Sequence, residues 1–279
     1  MNDEFCKVTR KKWIMRNKCM SNEQKKLHKD SPESAEVDEE TFLRRLTTLR
    51  ERMTDSEYFA QALVTLGEAL IKLKTICQTR DNNPKRLVCF GIGSFTRSYQ
   101  ALHQLAFILC TQKHFSIKEA IFFDPVFRKC EKSILQRLDC LVMSDNCEAK
   151  YEADIQTLFY LPHCPNCLTN NLLWRNWRRK HLKNMILINN SFESLSCSKP
   201  ERLLRLDSNY ILDIMSYAVE LPLEDDYEVN NVFNDLSVHI FPPANLPQEG
   251  SEIWQEKEPP AYKDVEMISA EDFAKLSIN

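Results

Sequence analysis

The chain has 279 residues, of which 43% are hydrophobic and 28% are charged, and its formal net charge is −3 at pH 7. This length suffices for one substantial buried core, and the lack of a basic bias disfavours direct nucleic-acid binding. No stretch reaches the roughly 20 apolar residues that cross a bilayer, and the polar start from Met1 to Lys12 resembles no export signal. We therefore expect a protein without membrane contact, located in the cytoplasm and also in the nucleus.

Composition divides the chain into three parts. Residues 1–38 pass from a basic stretch into an acidic run, which predicts a flexible arm. Residues 39–241 are predicted to form one α/β domain, with a helical lead-in at 39–80 and a core at 86–241. Residues 242–279 are rich in Pro and Glu and are predicted to form an irregular tail. Eleven cysteines are scattered through the chain, and we expect them to be reduced thiols that pack as small hydrophobes.

The lead-in carries apolar residues at helical spacing in two groups. They predict two helices that are separated near Thr54-Asp55, and either of these residues could cap the second helix. An Asp-Asn-Asn-Pro break at 81–84 then precedes a buried strand.

The core alternates short apolar runs with amphipathic segments, which is typical of βα units. The predicted strands are Leu87–Phe90, Ala120–Phe123, Cys140–Met143, Thr157–Leu161 and Met185–Ile188, with Ser237–Phe241 as an edge strand. The predicted helices are Thr96–Thr111, Phe127–Leu138, a short one near Ala149–Asp154, and Asn171–Lys183. The pattern predicts a Rossmann-like, doubly wound α/β fold with a mainly parallel sheet and N-terminal helices.

The first predicted strand runs into the turn Gly91-Ile92-Gly93-Ser94. Glycine permits positive φ and lets a phosphate or ribose approach the backbone beside a helix N-terminus. Ser94 could cap the helix that follows. A full dinucleotide fingerprint has a third glycine where this chain has Thr96, so a tight turn without a ligand is an equal alternative.

Polar residues also follow the later predicted strands. Asp124 lies where nucleotide-binding folds bind a ribose hydroxyl, although Asp before Pro also starts ordinary turns. His163 and Cys164 follow the fourth strand and could face the glycine turn. Asn190 and Ser191 follow the fifth strand, where they could hydrogen-bond a ligand or cap the chain reversal.

Three further patterns have alternative interpretations. A zinc site at His163, Cys164 and Cys167 is disfavoured because the Cys-x-x-Cys lacks a second pair. Asn170 or Asn171 could cap the helix that carries Trp174 and Trp177, whose rings we expect in the core. The basic residues that follow are predicted to form a solvated face. Finally, Asp235 could orient His239, but no nucleophile accompanies them.

Six segments together resemble the Sensitivity to Red Light Reduced, or SRR-like, family. They cover about 160 residues, from Arg86 to Phe241, and are Phe90–Phe95, Phe123–Phe127, Leu158–Cys164, Asn170–Trp177, Asn190–Phe192 and Phe233–His239. The resemblance implies a regulator of circadian clock input, clock-gene expression and haem biosynthesis. It supplies no catalytic or ligand-binding residues.

We hypothesise that the protein acts through a ligand- or partner-binding pocket at the carboxyl edge of the sheet. Its expected residues are Gly91, Gly93, Ser94, Asp124, His163, Cys164, Asn190 and Ser191. Protein partners are expected, and the ligand candidates are a nucleotide-type molecule or haem. The alternative is a nucleotide-cofactor enzyme, foremost an S-adenosylmethionine-dependent methyltransferase. Whether the chain catalyses a reaction stays open, with a non-catalytic role favoured.

Overall fold

The computed structural model describes residues 38–74, 83–255, 258–262, 267–269 and 272–273. Apart from Asp38, the predicted N-terminal arm lies outside these residues, and the division into arm, domain and tail stays a prediction. No helix in the described ranges combines the length and the hydropathy that crossing a membrane requires. The eight cysteines within them are free thiols, and five of these are buried.

Two helices open the described chain, as predicted. Helix α1 spans Glu39–Thr54 and helix α2 spans Glu57–Lys74. The cap prediction was wrong by one residue, because Ser56 Oγ accepts the Phe59 N–H at 3.2 Å. The Thr54 hydroxyl instead donates back to the Arg50 carbonyl at 2.8 Å, an interaction within its own helix that competes with capping.

A seven-stranded sheet forms the centre of the fold, and its strand order is β3-β2-β1-β4-β5-β7-β6. The strands are β1 Arg86–Phe90, β2 Glu119–Phe123, β3 Leu141–Val142, β4 Thr157–Leu161, β5 Met185–Asn190, β6 Val219–Pro222 and β7 Leu236–Ile240. Strands β1 to β5 pair in parallel, whereas β7 is antiparallel to both β5 and β6. The mainly parallel α/β fold is confirmed.

The predicted edge strand is not at the edge. Strand β7 lies between β5 and β6, and all five of its residues are buried. The edge on this side of the sheet is β6, which was not predicted because it is only four residues long, incompletely buried and ends at Pro222. A short strand with a terminal proline gives a weak pattern and suits a sheet edge.

The remaining helices pack around the sheet. They are α3 Tyr99–His114, α4 Lys129–Arg137, α5 Asn166–Arg175, α6 Arg179–Leu182, α7 Phe192–Ser198, α8 Glu201–Leu204 and α9 Asn209–Ile214, with 3₁₀ turns at Met215–Tyr217 and Glu252–Trp254. The short helices α7, α8 and α9 were not predicted. No helix forms at 149–154, where Glu148 and Ala149 have φ of 51° and 59°, which an α-helix cannot accommodate.

The helix predicted at Asn171–Lys183 is two helices, and Asn176 explains the break. Its Oδ1 accepts the Ala153 N–H at 2.7 Å and its Nδ2 donates to the Tyr151 carbonyl at 2.8 Å. These bonds tie the end of α5 to the preceding loop. Asn170 and Asn171 are not caps, because α5 begins four residues before Asn170 and both side chains are fully buried.

The predicted roles of the tryptophans and of the basic residues are met in part. Trp177 is buried, and its ring lies 4.7 Å from the Tyr210 ring, so its predicted place in the core is confirmed. Arg175 pairs with Glu152 at 2.7 Å. Arg179 instead donates to the carbonyls of Pro243 and Pro247 at 3.0 and 2.6 Å, so one predicted solvated side chain holds the chain that follows β7.

The buried His239 has a different partner from the one predicted. Its Nε2 lies 3.5 Å from Glu220 Oε2 on β6, and its ring stacks on Phe192 with centroids 3.8 Å apart. Asp235 contributes through its carbonyl, which accepts the Ser191 N–H at 2.9 Å. The pairing of β6 with β7 sets the Glu220–His239 contact, and β6 was not predicted from the sequence.

We expect Glu220 to make stability depend on pH in the acid range. Burial by itself would raise its pKa, but the neighbouring polar side chains of His239, Ser191 and Ser237 lower the pKa to about 2. Because the folded-state pKa lies below the ordinary value of 4.5, the stabilisation is fully present above pH 4.5 and is lost as pH falls towards 2. Its size is about 2 to 3 kcal/mol.

The test is urea unfolding of the wild type and Glu220→Gln at pH 7 and at steps from pH 4.5 downwards. The variant should be less stable at pH 7 and should show a shallower loss of stability on acidification. Equal slopes for the two proteins would contradict the assignment of this acid sensitivity to Glu220.

Candidate functional site

A cavity of about 230 Å³ lies at the carboxyl ends of β1, β2 and β4. Strands β1 and β4 are neighbours from which the chain progresses in opposite directions across the sheet, which is the position where open α/β sheets bind ligands. The cavity is lined by Phe90, Gly91, Phe123, Asp124, Pro125, Val126, Asn146, Ala149, His163, Cys164, Pro165, Leu168, Met267 and Ile268. Four of the eight expected site residues therefore line one cavity: Gly91, Asp124, His163 and Cys164.

Gly91 begins the turn after β1 and has φ of +68°. Its N–H donates to the Phe123 carbonyl at 3.2 Å, which continues the pairing of β1 with β2. A Cβ on this residue would lie 2.3 Å from Cys164 Sγ, far inside van der Waals contact. The glycine is therefore required by a side chain that arrives from the end of β4.

Cys164 fills the space beside that glycine. Its Sγ lies 3.4 Å from the Phe90 carbonyl oxygen, to which it donates, and the residue is buried. Burial raises the pKa of the thiol well above its ordinary value, and the nearby Asp124 charge raises it further. Cys164 is consequently a protonated packing residue at neutral pH and not a thiolate nucleophile.

Asp124 holds the glycine turn. Its Oδ2 accepts the Gly93 N–H at 2.7 Å, and its Oδ1 accepts the Val126 N–H at 2.9 Å. The second bond is the local turn expected of Asp before Pro. Burial raises the pKa of Asp124, whereas the two N–H donors lower it and the charge of Glu131 raises it. The carboxylate lines the cavity while it accepts hydrogen bonds from the glycine turn after β1 and from its own turn after β2.

Ser94 and the helix cap differ from the prediction. Ser98 Oγ accepts the Ala101 N–H at 3.2 Å, so Ser98 caps α3, which begins three residues later than predicted. Ser94 Oγ donates instead to Glu131 Oε1 at 2.7 Å. Ser94 therefore faces α4 and is not among the described residues that line the cavity.

Glu131 was not among the site residues predicted from the sequence. It is fully buried, and its Oε1 also accepts from the Thr96 N–H and hydroxyl at 3.0 and 2.9 Å. Its Oε2 accepts the Arg128 N–H at 2.9 Å at the start of α4. A Glu in the first turn of a helix is a local capping signal, but nothing local connects it to Ser94 and Thr96.

The other expected residues lie around the cavity in different roles. His163 is exposed, has φ of 52°, and places Nε2 3.0 Å from the Val232 carbonyl oxygen. Asn190 Nδ2 donates to the Cys164 carbonyl at 3.1 Å and so holds the backbone of a residue that lines the cavity. Ser191 caps α7 by accepting the Ser194 N–H at 3.0 Å. In the described part of the chain, no three His, Cys, Asp or Glu side chains could hold a metal.

Part of the predicted tail contributes to the site. Met267 and Ile268 line the cavity, and Asn146 Nδ2 donates to the Ile268 carbonyl at 2.7 Å. Tyr262 anchors the same segment, because its hydroxyl donates to Asn171 Oδ1 at 3.0 Å and accepts from Asn170 Nδ2 at 2.9 Å. The buried asparagines of α5 are thus partners of the tail, a role that no local pattern indicated.

The chain is similar to several known proteins. A profile of the SRR1 domain matches residues 47–240. The Drosophila melanogaster SRR1-like protein is 40% identical over 272 residues, which cover 96% of this chain and 93% of the relative. The mouse SRR1-like protein is 32% identical over 205 residues, covering 64% and 82%. The Arabidopsis thaliana protein SENSITIVITY TO RED LIGHT REDUCED 1 is 38% identical over 168 residues, covering 56% and 58%.

Solved structures give only distant matches. One is the SAH-bound methyltransferase PaMTH1 of Podospora anserina, at 12% identity and a TM-score of 0.33, covering 86% of this chain and 99% of that one. Another is a Corynebacterium glutamicum protein at 12% identity and a TM-score of 0.34, covering 79% and 98%. The profile spans more than half of the chain, and the Drosophila relative is similar along nearly all of both sequences. The chain therefore belongs to the SRR1 domain family.

Proposed function

We propose that this protein is a regulator that binds a ligand or a protein partner at the carboxyl-edge cavity, and that its output reaches the circadian clock and haem biosynthesis. The two regulated processes, the circadian clock and haem biosynthesis, are those that the family resemblance implies. The location is supported by one observation: three segments that carry the resemblance converge on the cavity through Gly91, Asp124 and His163. Segments far apart in sequence meet here because the carboxyl ends of adjacent parallel strands share one edge.

Val126 offers the sharpest test of this proposal. It lines the cavity and is 47% exposed, so a larger side chain can be placed there without disturbing the core. Val126→Arg should block the cavity while the fold is retained. Val64→Arg is the matched control, since Val64 is 63% exposed on α2 and is not among the described residues that line the cavity.

The two variants would replace the natural copy in cells, followed by measurement of a clock-gene reporter rhythm and of haem content. Val126→Arg should change the rhythm and the haem content as deletion of the gene does, and Val64→Arg should leave both as in the wild type. Equal abundance of both proteins verifies that folding is not the cause. Normal rhythm and haem content with Val126→Arg would remove the cavity from the regulatory mechanism.

A nucleotide-cofactor enzyme is the second candidate, foremost an S-adenosylmethionine-dependent methyltransferase. It is favoured by the contact between Gly93 and Asp124 at the switch point of the sheet, since such sites place an acid beside a glycine turn. Calorimetric titration of the full chain with S-adenosylhomocysteine tests it. Saturable binding that Val126→Arg abolishes would support the enzyme hypothesis. Absence of binding would leave the regulator as the remaining candidate.

A further inference from the structure

We infer that the carboxyl-edge cavity takes a compact, largely apolar ligand that presents a cationic or hydrogen-bond-donating group to Asp124, and that it rejects phosphate-bearing nucleotides and haem. This inference rests on the proposed function, because it names the ligand class of the same site. It departs from both ligand candidates that the sequence suggested.

Three backbone N–H groups at the glycine turn are used by the protein itself and are therefore not available to a phosphate. Anion sites at such turns depend on backbone N–H groups that point at the ligand. Here the Gly91 N–H donates to a carbonyl of β2. The Gly93 N–H donates to Asp124 and the Thr96 N–H to Glu131. Two internal carboxylates thus occupy positions that a bound anion would take.

The charge of the cavity also opposes an anion. Asp124 lines it, and the fully buried carboxylate of Glu131 lies behind the same turn. Neither Lys nor Arg occurs among the described lining residues, so neither of these permanently charged side chains is there to balance a phosphate or a propionate. A second negative charge beside a partly desolvated carboxylate is repelled.

Asp124 nevertheless has capacity for a ligand. A carboxylate has about four acceptor positions, and each Asp124 oxygen accepts one backbone N–H. The remaining positions can accept an ammonium, amide or hydroxyl group. A cation gains the most from such a contact, because charge-assisted hydrogen bonds are about twice as strong as neutral ones.

The size and lining of the cavity set the rest of the ligand. The volume of about 230 Å³ lies below the roughly 300 to 1,000 Å³ of common cofactor sites. Its walls are mainly apolar side chains, contributed by Phe90, Phe123, Val126, Leu168, Met267 and Ile268. A dinucleotide or a haem exceeds this space, whereas a single ring with a short polar group fits it. The buried Cys164 thiol, which donates to Phe90, is not available as a thiolate ligand for haem iron.

Three probes of equal size and different charge test the inference on the full chain. Benzylamine is cationic, benzyl alcohol is neutral and benzoate is anionic. Each is titrated while the methyl resonances of Met267 and Val126 are followed by NMR. Benzylamine should bind at least about tenfold more tightly than benzoate, with benzyl alcohol between them. ADP and haemin should leave both methyl resonances unchanged.

A variant removes the binding site. Val126→Arg blocks the cavity and should abolish binding of all three probes, as read from the Met267 methyl group. Val64→Arg should keep the wild-type order. Benzoate binding as tightly as benzylamine, displacement of the methyl resonances by ADP or haemin, or no binding of any ring probe would each overturn the inference.

The two proposals fail in distinguishable ways. If the charge order is absent while Val126→Arg still disturbs rhythm and haem content in cells, the ligand class is wrong and the regulatory cavity stands. If benzylamine binds in the expected order while Val126→Arg behaves as wild type in cells, the ligand class stands and the proposed function falls.

Discussion

Replacing Gly91 with alanine is expected to destabilise the protein by about 3 kcal/mol, from two additive causes. The backbone at Gly91 has φ of +68°, and a non-glycine residue in this region costs about 1 to 2 kcal/mol. The new Cβ would also lie 2.3 Å from Cys164 Sγ, and such overpacking costs roughly 1 to 3 kcal/mol. Urea unfolding of the purified variant measures the sum.

Gly93 provides the matched control, since its φ is +79° but a Cβ there would lie no closer than 4.0 Å to the Ala101 Cβ. Gly93→Ala should therefore show only the backbone cost, about 1 to 2 kcal/mol. Cys164→Ala removes the clashing sulfur, so in the Cys164→Ala background Gly91→Ala should cost no more than Gly93→Ala. A Gly91→Ala penalty that the cysteine change leaves unaltered would contradict the steric explanation.

Replacing Glu131 with alanine is expected to cost about 3 to 5 kcal/mol, because its carboxylate is the shared acceptor of four donors. Three of these converge on Oε1 from Ser94 and Thr96, and the Arg128 N–H reaches Oε2. Each buried donor left without a partner costs about 1 to 3 kcal/mol, reduced where water can enter. Denaturant unfolding, with the slope checked for two-state behaviour, gives the value.

Two variants separate this network from an ordinary helix-start effect. Glu131→Gln keeps an oxygen for Ser94 and Thr96 but places an amide against the Arg128 N–H, so its loss should be smaller than that of alanine. Glu57→Ala removes an exposed acid from the first turn of α2 and should cost less than about 1 kcal/mol. Similar losses for Glu131→Ala and Glu57→Ala would refute the shared-acceptor role.

The order of elements in the core could be predicted because its signals are local. Strand β4 was predicted at its observed bounds, and the predicted starts of β1 and β2 lie within one residue of their observed starts. These strands are predictable because buried parallel strands are short apolar runs between helix- and strand-breaking residues. The glycine turn and the polar residues at strand ends were also predictable, because parallel strands deliver their carboxyl ends to one edge.

The predictions that were wrong concern elements whose sequence signal is weak or depends on distant residues. Strand β6 is short and at the edge, and without it the placement of β7 and the partner of His239 could not be deduced. The helix predicted over Asn171–Lys183 contains no glycine or proline that would end it, yet Asn176 ends it by bonding to residues 23 and 25 positions away. Tertiary contacts of this kind override local propensity.

By itself, the sequence determined the fold class, the family resemblance and the edge of the sheet where a site would lie, because periodicity and turn chemistry depend on residues that are close together in the sequence. The tertiary structure alone decided which side chains and carboxylates meet at that edge. It places Cys164 against Gly91, the carboxylates of Asp124 and Glu131 on the turn, and Met267 over the cavity. These partners come from distant parts of the chain, and only folding brings them within hydrogen-bond or van der Waals distance.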